Sequence, residues 1–305
     1  KTAFVFPGQG SQFAGMGKGL AAQFAVARSV FEEADDALGF LLSAMCFEGP
    51  EDALKLTENT QPALLTVSTA AFRVLAERGL APDYVAGHSL GEYSALVAAG
   101  SLQFTDAVRL VRKRGRYMQE AVPPGVGAMA ALLRLPEGAL DAILEQAAEG
   151  EVVSAANLNA PDQVVIAGHA GAVHRAIELA QAAGARRAIL LPVSAPFHCA
   201  LMKLAQDHLA ADLNATAFSD LSRPLVNNWL AQEVHTGAEA RQGLYQQVPN
   251  PVRWAESIRY LAAQGVQRFV EVGAGGVLTG LLRSIDASLQ GFRFGDPADL
   301  EKLSA

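Results

Sequence analysis

The stretch Gly87-His88-Ser89-Leu90-Gly91 decides the fold, because it joins a short apolar strand, 84–86, to an apolar helix, 92–100. A serine between two glycines at a strand-to-helix turn is typical of the nucleophile elbow of α/β enzymes. The chain must turn so sharply at Ser89 that side chains at positions 87 and 91 would clash, which accounts for both glycines. The same short string can mark a plain turn, but the strand before it and the helix after it favour a nucleophile.

The rest of the first third alternates short apolar strands with amphipathic helices, the layout of an α/β domain. Before position 123 the predicted elements are strand Ala3–Phe6, loop Pro7–Gln12, helix Gly19–Leu38 and helix Gln61–Gly79. The alternation of strands and helices resumes at position 193, with strand Pro224–Asn227, helix Val252–Gln264, strand Arg268–Val272 and helix Gly276–Ser284. These later elements are predicted to complete the sheet that the first ones begin.

The middle of the chain has a different order of elements. It reads as strand Gly127–Leu133, helix Pro136–Ala148, strands Val152–Leu158 and Gln163–Ala167, helix Ala170–Ala183 and strand Arg187–Pro192. That βαββαβ order is the ferredoxin-like arrangement, and residues 159–162 supply the Asn, Pro and Asp of a tight hairpin turn. We therefore predict a small subdomain at 124–192, inserted into a large subdomain formed by 1–123 and 193–305.

Composition excludes several classes of protein. The chain has 305 residues, of which 50% are hydrophobic and 18% are charged, as in a compact globular protein. A formal net charge of −7 argues against a nucleic-acid binder, which needs a basic face. The two cysteines, Cys46 and Cys199, are too few for a disulfide framework and lack metal-ligand spacing. Such sparse cysteine use indicates a protein of the reducing cytoplasm. Without a run of about 18 apolar residues, we expect no membrane-spanning segment.

A serine nucleophile needs a base, and the chain offers six histidines. Four of them stand in polar settings that favour a solvated role: His169, His174, His208 and His235. His88, inside the elbow, should point away from Ser89 and support the site. His198 lies where the inserted unit returns to the main domain, a usual position for a substrate cleft, so it is the candidate base, with a structural histidine as the alternative. Cys199 is a weaker candidate nucleophile.

Several strings occur in a fixed order along nearly the whole chain. They are Phe6-Pro7-Gly8-Gln9-Gly10-Ser11-Gln12, Thr60-Gln61-Pro62-Ala63, Gly87 to Tyr93, Arg114-Gly115, Pro196-Phe197-His198, and Gln247 shortly before Asn250-Pro251. In this combination the sequence resembles the malonyl-CoA:acyl-carrier-protein transacylase family. The resemblance implies an α/β-hydrolase-like core with a ferredoxin-like small subdomain, which agrees with the pattern of elements.

The resemblance also implies the activity. Enzymes of this family transfer a malonyl group from malonyl-CoA to the phosphopantetheine thiol of acyl carrier protein, by a ping-pong mechanism that serves fatty-acid biosynthesis. We therefore expect a malonyl-Ser89 intermediate with His198 as the general base, and malonyl-CoA and acyl carrier protein as the binding partners. We expect neither a metal nor a redox cofactor, and a monomer located in the cytoplasm.

The resemblance assigns roles to further residues. A backbone carbonyl at Gln247 would orient His198, and the backbone N–H groups of Gln9 and Leu90 would hold the oxyanion. Arg114 would pair with the malonyl carboxylate through its bidentate guanidinium. Without the resemblance, Arg114 would be read like Arg109, Arg112 and Lys113, as part of a solvated basic helix face. The remaining expected substrate-binding residues are Gln61, Phe197 and His88.

Three other functions stay open from the sequence. A free-standing acyltransferase of a polyketide synthase would carry the same motifs. A serine thioesterase or lipase-like hydrolase also uses an elbow serine and a histidine, and it would consume thioester without an acceptor. A noncatalytic module that binds a carrier protein would leave the serine, histidine and arginine set without a purpose.

Overall fold

The strands of the computed structural model, which describes residues 1–193 and 195–304, fall into a large and a small sheet. In chain order they are β1 (Thr2–Phe6), β2 (Tyr84–Gly87), β3 (Gly127–Leu133), β4 (Val153–Ala160), β5 (Gln163–His169), β6 (Arg187–Leu190), β7 (Leu225–Val226), β8 (Glu233–Val234), β9 (Arg268–Val272) and β10 (Gln290–Phe294). Two positions covered by the sequence predictions, Ser194 before the candidate base and Ala305 at the end of the large subdomain, lie outside the described residues.

The helices surround these sheets. They are α1 (Lys18–Gln23), α2 (Ala25–Leu38), α3 (Leu42–Glu48), α4 (Glu51–Lys55), α5 (Thr57–Glu77), α6 (Gly91–Ala98), α7 (Phe104–Glu120), α8 (Leu140–Ala148), α9 (Ala170–Ala182), α10 (Lys203–Ala215), α11 (Gly237–Gln247), α12 (Trp254–Ala263), α13 (Val277–Ile285) and α14 (Leu300–Leu303). Short 3-10 turns occupy Ala200–Met202 and Pro297–Asp299. In the described part of the chain, no helix is long and apolar enough to cross a membrane.

The large sheet has the strand order β10-β9-β1-β2-β7-β8, with β8 antiparallel to β7 and every other pair parallel. Residues 3–6 of β1 are all buried, which fits the continuous apolar run expected of a strand covered on both faces. Phe6 of β1 is in register with Gly87 of β2. The loops that follow β1 and β2 therefore emerge side by side at the carboxyl edge of the sheet, where ligands bind in open α/β sheets.

The small sheet is antiparallel, with the order β4-β5-β3-β6, and the helices α8 and α9 pack on it through their own apolar core. The predicted α/β class with a small βαββαβ unit is confirmed. Because β3, β4, β5, β6 and both helices lie within 127–190, we propose 124–192 as the small subdomain and 1–123 with 193–305 as the large one.

Some predicted elements differ in detail. The predicted helix Gly19–Leu38 is broken at Phe24, whose extended backbone (φ −122°, ψ 118°) separates α1 from α2. The predicted helix Pro136–Ala148 starts only at Leu140, after a turn. The sequence patterns missed α10, α11 and the edge strand β10. In β10 four of the five residues are exposed or half-buried, so it lacks the apolar run of an interior strand.

Helix α5 forms the centre of the large subdomain, and Pro62 stands inside it. Proline has no N–H to donate to the carbonyl four residues earlier, which is that of Glu58. Arg112 supplies a replacement, donating a hydrogen bond of 3.2 Å to the Glu58 carbonyl and another to the side chain of Asn59. The expectation that Arg112 belongs to a solvated basic face is therefore wrong.

The close approach of α6 to β1 gives a stability prediction. A Cβ atom on Gly91 would stand 2.0 Å from the Phe6 carbonyl oxygen, a backbone atom that cannot move aside. We expect Gly91→Ala to lower the free energy of unfolding by about 3 kcal/mol or more, measured by urea denaturation followed by circular dichroism.

Gly280 is the matched control. It lies exposed in α13, and a Cβ atom there would meet nothing within 4 Å. Gly280→Ala should therefore leave stability unchanged or raise it by up to about 1 kcal/mol. Equal stability of the Gly91→Ala and wild-type proteins would contradict the packing described here.

Candidate active site

Ser89 occupies the turn between β2 and α6 in a left-handed backbone conformation, with φ at 52°. A residue with a side chain rarely adopts this conformation unless its surroundings hold it there. Asn228 provides that support, because its Oδ1 accepts from the Ser89 backbone N–H at 2.8 Å and its Nδ2 donates to the Gly87 carbonyl at 2.7 Å. Asn228 is completely buried, so the turn is held by a brace that water does not reach.

Ser89 and His198 meet as a dyad. The Oγ atom of Ser89 lies 2.7 Å from Nε2 of His198, and Nδ1 of His198 lies 2.8 Å from the backbone carbonyl oxygen of Gln247. A carbonyl can only accept, so Nδ1 carries the proton and Nε2 is left with a lone pair for the serine hydroxyl. A main-chain carbonyl thus stands where a carboxylate commonly orients a catalytic histidine.

The imidazole of His198 is neutral at physiological pH. Burial, followed by the positive charge of Arg114, lowers the pKa of His198 to about 3. His198 also adopts a left-handed conformation, with φ at 55°. Two neighbouring residues in sparsely populated backbone regions are typical of a preorganised functional site.

The predicted oxyanion donors lie on the two adjacent loops. Leu90 directly follows Ser89, Gln9 lies in the loop after β1, and both line the same cavity as Ser89. Within residues 1–193 and 195–304, the backbone N–H groups of Gln9 and Leu90 have no hydrogen-bond partner. Two such donors beside a nucleophile are suited to hold an oxyanion.

Arg114 is a buried cation close to the nucleophile. Its side chain is 1% exposed, and it donates to Gln61 Oε1 at 2.7 Å, to Gln247 Oε1 at 2.6 Å and to Ser89 Oγ at 3.2 Å. No carboxylate of the described residues lies within 4 Å of its nitrogens, and its Nε has no hydrogen-bond partner among those residues. Burial lowers the pKa of Arg114. A buried guanidinium held only by neutral groups is suited to receive an anion.

Glu92, which the sequence did not single out, lies behind the dyad. It is 1% exposed, and its carboxylate accepts from the Asn228 backbone N–H at 2.9 Å and from Gln247 Nε2 at 2.6 Å. Burial raises the pKa of Glu92 to about 7. Its place within the string Gly87 to Tyr93 is a sequence signal that could have drawn attention to it. Asn228 carries no local motif at all.

A cavity of about 240 Å³ connects these groups, and its walls are formed by the small sheet and by helices and loops around the large one. The large subdomain supplies most of the predicted site residues: Gln9, Gln61, His88, Ser89, Leu90, Arg114, Phe197 and His198. The small sheet supplies Met129 and Val165, and α13 supplies Leu278. Gln247 is fully buried behind this lining. In the described residues, no cluster of His, Cys, Asp and Glu could hold a metal ion.

His88 links the elbow to the small sheet. Its Nε2 lies 2.7 Å from Oδ1 of Asn159 in β4, and its ring packs against Trp254 with the centroids 5.5 Å apart. Burial lowers the pKa of His88, so the ring is neutral. The Ser89 hydroxyl is bonded to His198 and not to His88.

Comparisons with known proteins give a consistent picture. Residues 3–288 match the acyl transferase domain family. The malonyl CoA-acyl carrier protein transacylases of Escherichia coli K12 and Bacillus subtilis 168 are 51% and 49% identical, covering 97% and 99% of this chain and 96% and 95% of theirs. An acyl carrier protein S-malonyltransferase structure from Vibrio cholerae matches with a TM-score of 0.97, at 47% identity and 99% coverage of both chains.

A second solved structure shows a type II PKS acyl-carrier protein in complex with its malonyl-transacylase. One of its chains matches with a TM-score of 0.97, at 47% identity, covering 99% of this chain and 98% of that one. The chain therefore belongs to the malonyl CoA-acyl carrier protein transacylase family of acyl transferase domains.

Proposed function

We propose that the protein transfers a malonyl group from malonyl-CoA to the phosphopantetheine thiol of an acyl carrier protein, through an ester on Ser89. The observation that carries this proposal is the buried Arg114 guanidinium, 3.2 Å from the Ser89 hydroxyl and without a carboxylate partner among the described residues. An acyl group with a distal carboxylate would complete that environment. The malonyl-specific names of relatives at about half identity support the same substrate.

The first half-reaction forms the malonyl ester. The Ser89 oxygen attacks the thioester carbonyl carbon while its proton passes to Nε2 of His198, at 2.7 Å. The N–H groups of Gln9 and Leu90 stabilise the tetrahedral oxyanion. The carbon–sulfur bond then breaks, and the departing CoA sulfur takes the proton from His198.

The second half-reaction reverses the roles. The thiol of the carrier protein's phosphopantetheine gives its proton to His198, and its sulfur attacks the ester carbonyl. The ester bond to Ser89 breaks and the serine oxygen takes back the proton. Since Nδ1 donates to the Gln247 carbonyl throughout, Nε2 faces the reacting atoms in both directions.

Arg114 links the choice of acyl group to the basicity of His198. Its positive charge lowers the pKa of His198 in the empty site. A malonyl carboxylate beside Arg114 offsets that charge, so the pKa of His198 rises when the substrate binds. An acetyl group brings no such charge. Phe197 beside His198 resembles the malonyl-selecting form of the motif in polyketide acyltransferases.

The proposed reaction uses groups of the chain alone, because proton transfer and nucleophilic attack need only the dyad and the oxyanion donors. We propose that neither a metal nor a redox cofactor takes part. A monomer acting in the cytoplasm completes the proposal.

A polyketide carrier protein is the second candidate acceptor. The solved complex that matches this fold contains a type II PKS carrier. The polyketide biosynthesis protein ThaF of Burkholderia thailandensis is 43% identical over 93% of this chain, which corresponds to 24% of ThaF. Comparing kcat/KM for carriers of both pathways decides between them. A faster reaction with the polyketide carrier would replace the fatty-acid assignment.

We expect Ser89→Ala to abolish the malonyl adduct, since no other hydroxyl stands at the elbow. Cys199→Ala is the control. The Cys199 thiol is 1% exposed, burial raises its pKa to about 11, and it donates to the Pro196 carbonyl, so it cannot replace the serine.

Intact-protein mass spectrometry, after mixing with malonyl-CoA and then with carrier protein, measures acylation and transfer separately. A malonyl adduct on Ser89→Ala would disprove the mechanism, and thioester loss without an acceptor would favour a hydrolase.

Arg114→Ala should reduce malonyl transfer sharply and leave acetyl transfer similar or faster. Removing one partner of a buried charge pair costs about 2–5 kcal/mol, or roughly 30-fold to several thousandfold in discrimination. Arg114→Lys should recover part of this loss, because an ammonium keeps the charge without the planar fork. The measurement is the ratio of acylation rates with malonyl-CoA and acetyl-CoA. A ratio within about threefold of wild type for Arg114→Ala would mean that Arg114 does not select the substrate.

The carrier protein needs a basic contact on this acidic enzyme, because acyl carrier proteins are acidic. Arg186 and Arg187 are exposed and line a groove that shares Gln163, Val277 and Leu281 with the active-site cavity. Neither forms an ion pair with any described residue. On α7, by contrast, Lys113 is paired with Asp212.

Reversing the charges with Arg186→Glu and Arg187→Glu should therefore slow transfer to the carrier protein, mostly at low salt. Acylation by malonyl-pantetheine, which has no phosphates, should stay close to wild type, and Lys113→Glu serves as the control away from the groove. Equal slowing of both half-reactions would indicate a folding defect and contradict the assignment of this surface.

A further inference from the structure

Gln247 contacts both His198 and Arg114, the two groups that assist Ser89 in the proposed function. Its backbone carbonyl accepts from His198 at 2.8 Å, and its side-chain Oε1 accepts from Arg114 at 2.6 Å. Its Nε2 donates to Glu92 at 2.6 Å. One residue thus touches the base through its main chain and the acyl-binding cation through its side chain.

The direction in which the Gln247 amide points is decided by its neighbours. Arg114 can only donate, so it requires the amide oxygen, and a carboxylate at Glu92 can only accept, so it requires the amide nitrogen. The other Glu92 oxygen faces a second donor, the backbone N–H of Asn228, at 2.9 Å. Both carboxylate oxygens therefore face donors. A protonated Glu92 would turn an O–H toward one of them and lose that hydrogen bond.

Through Asn228 the same carboxylate reaches the nucleophile. Asn228 accepts from the Ser89 backbone N–H and donates to the Gly87 carbonyl, so it holds both sides of the elbow. Glu92, Gln247, Asn228 and Arg114 are each at most 1% exposed. A buried network of this kind fixes geometry only when every member is satisfied, and one mismatched partner disturbs the whole set.

We propose that Glu92 is a positioning residue, which in its carboxylate form fixes the Gln247 amide and the Asn228 brace and thereby aligns Arg114, His198 and Ser89 for acylation. This inference rests on the proposed function. Glu92 touches neither the acyl group nor the reacting atoms in this account. It acts through the two residues to which it is bonded.

The proposal has a consequence for pH dependence. Burial raises the pKa of Glu92 to about 7, and the carboxylate, which is the form that positions the site, predominates above that value. Acylation should therefore fall as pH falls through about 7. His198 cannot cause this change, because its pKa in the free enzyme is about 3 and it stays neutral.

The other charged and titratable groups near Glu92 are a cation, a phenol and a histidine. Helix α6 packs on β1, β2, α5 and α7, and the cation that faces Glu92 from these elements is Arg114 of α7, which stays protonated. On α6 itself, Tyr93 interacts with Glu92, and burial raises the pKa of Tyr93 to about 12. Burial lowers the pKa of His88, which lies in the same site, from its ordinary value and so away from 7.

The first experiment uses the unaltered enzyme. The second-order rate constant for acylation by malonyl-pantetheine, which reports the free enzyme and has no phosphates that titrate, is measured from pH 5.5 to 8.5 by mass spectrometry. We expect it to fall about tenfold per pH unit below about pH 7, with circular dichroism showing a folded protein throughout. A flat profile overturns the proposal. The absence of any malonyl adduct at every pH would instead contradict the proposed function.

The second experiment compares two carboxylates. Glu92→Gln places an amide that cannot accept from both donors, so acylation should drop at least about tenfold and lose its dependence on pH. Glu271→Gln is the control, because Glu271 is also 1% exposed and accepts from the backbone N–H groups of Leu278 and Thr279, away from Gln247. It should keep the pH dependence. The proposal is overturned if Glu92→Gln keeps the pH dependence of the wild type. It is likewise overturned if Glu271→Gln is the only one of the two variants that loses this dependence.

The third experiment exchanges the carboxylate at position 92 with the amide at position 247. In Glu92→Gln/Gln247→Glu the new amide can accept from Asn228 and donate to the new carboxylate, which accepts from Arg114. Because that carboxylate competes with a malonyl group, acylation is measured with acetyl-pantetheine. We expect the double variant to react at least about tenfold faster than Gln247→Glu, in which two carboxylates meet. No recovery in a folded double variant overturns the proposal, and if the variants do not fold, the wild-type pH profile still decides.

Discussion

The rest of the structure depends on one contact, the approach of the α6 backbone to the end of β1. Position 91 leaves no space for even a methyl group beside the Phe6 carbonyl. This approach places the loop after β1 next to the elbow after β2, and so brings the N–H groups of Gln9 and Leu90 to the same cavity as Ser89. It also directs the start of α6 at the reacting atoms, where helix N–H groups favour negative charge.

A buried cation without a buried anion in contact would ordinarily destabilise a fold. The structure meets this difficulty with amides, since Arg114 is held by Gln61 and Gln247, while Glu92 lies one hydrogen bond further away. Direct pairing of Arg114 with Glu92 would have neutralised the charge of the guanidinium. Placing Gln247 between them keeps the cation available to a ligand and still provides a compensating charge nearby. Arg114, Ser89 and Glu92 are therefore joined in a single buried polar network.

The sequence predicted the parts of this molecule that local patterns encode. The elbow, the βαββαβ unit and strand β9 were all predicted, because each has its own glycine spacing or apolar period. The edge strand β10 and helix α11 were missed, because neither shows a continuous apolar run or stripe. The brace at Asn228 and the role of Glu92 were unpredictable for another reason. They act on residues more than 130 positions away in the chain, and nothing in their neighbouring sequence records that contact. Arg112 was misread because its partner is a carbonyl freed by Pro62 on another helix.

The orientation of His198 by a main-chain carbonyl has a consequence for how the site can change over time. Every residue type carries the same carbonyl, so substitution at position 247 does not by itself delete the acceptor, as it would delete a catalytic aspartate. The course of the backbone fixes the imidazole of His198, so the side chain at position 247 is not needed to orient it. That side chain makes a different contact, in which it accepts a hydrogen bond from Arg114. A hydrogen-bond acceptor that belongs to the main chain is not detected by substituting side chains. It also persists when the residue type at its position changes.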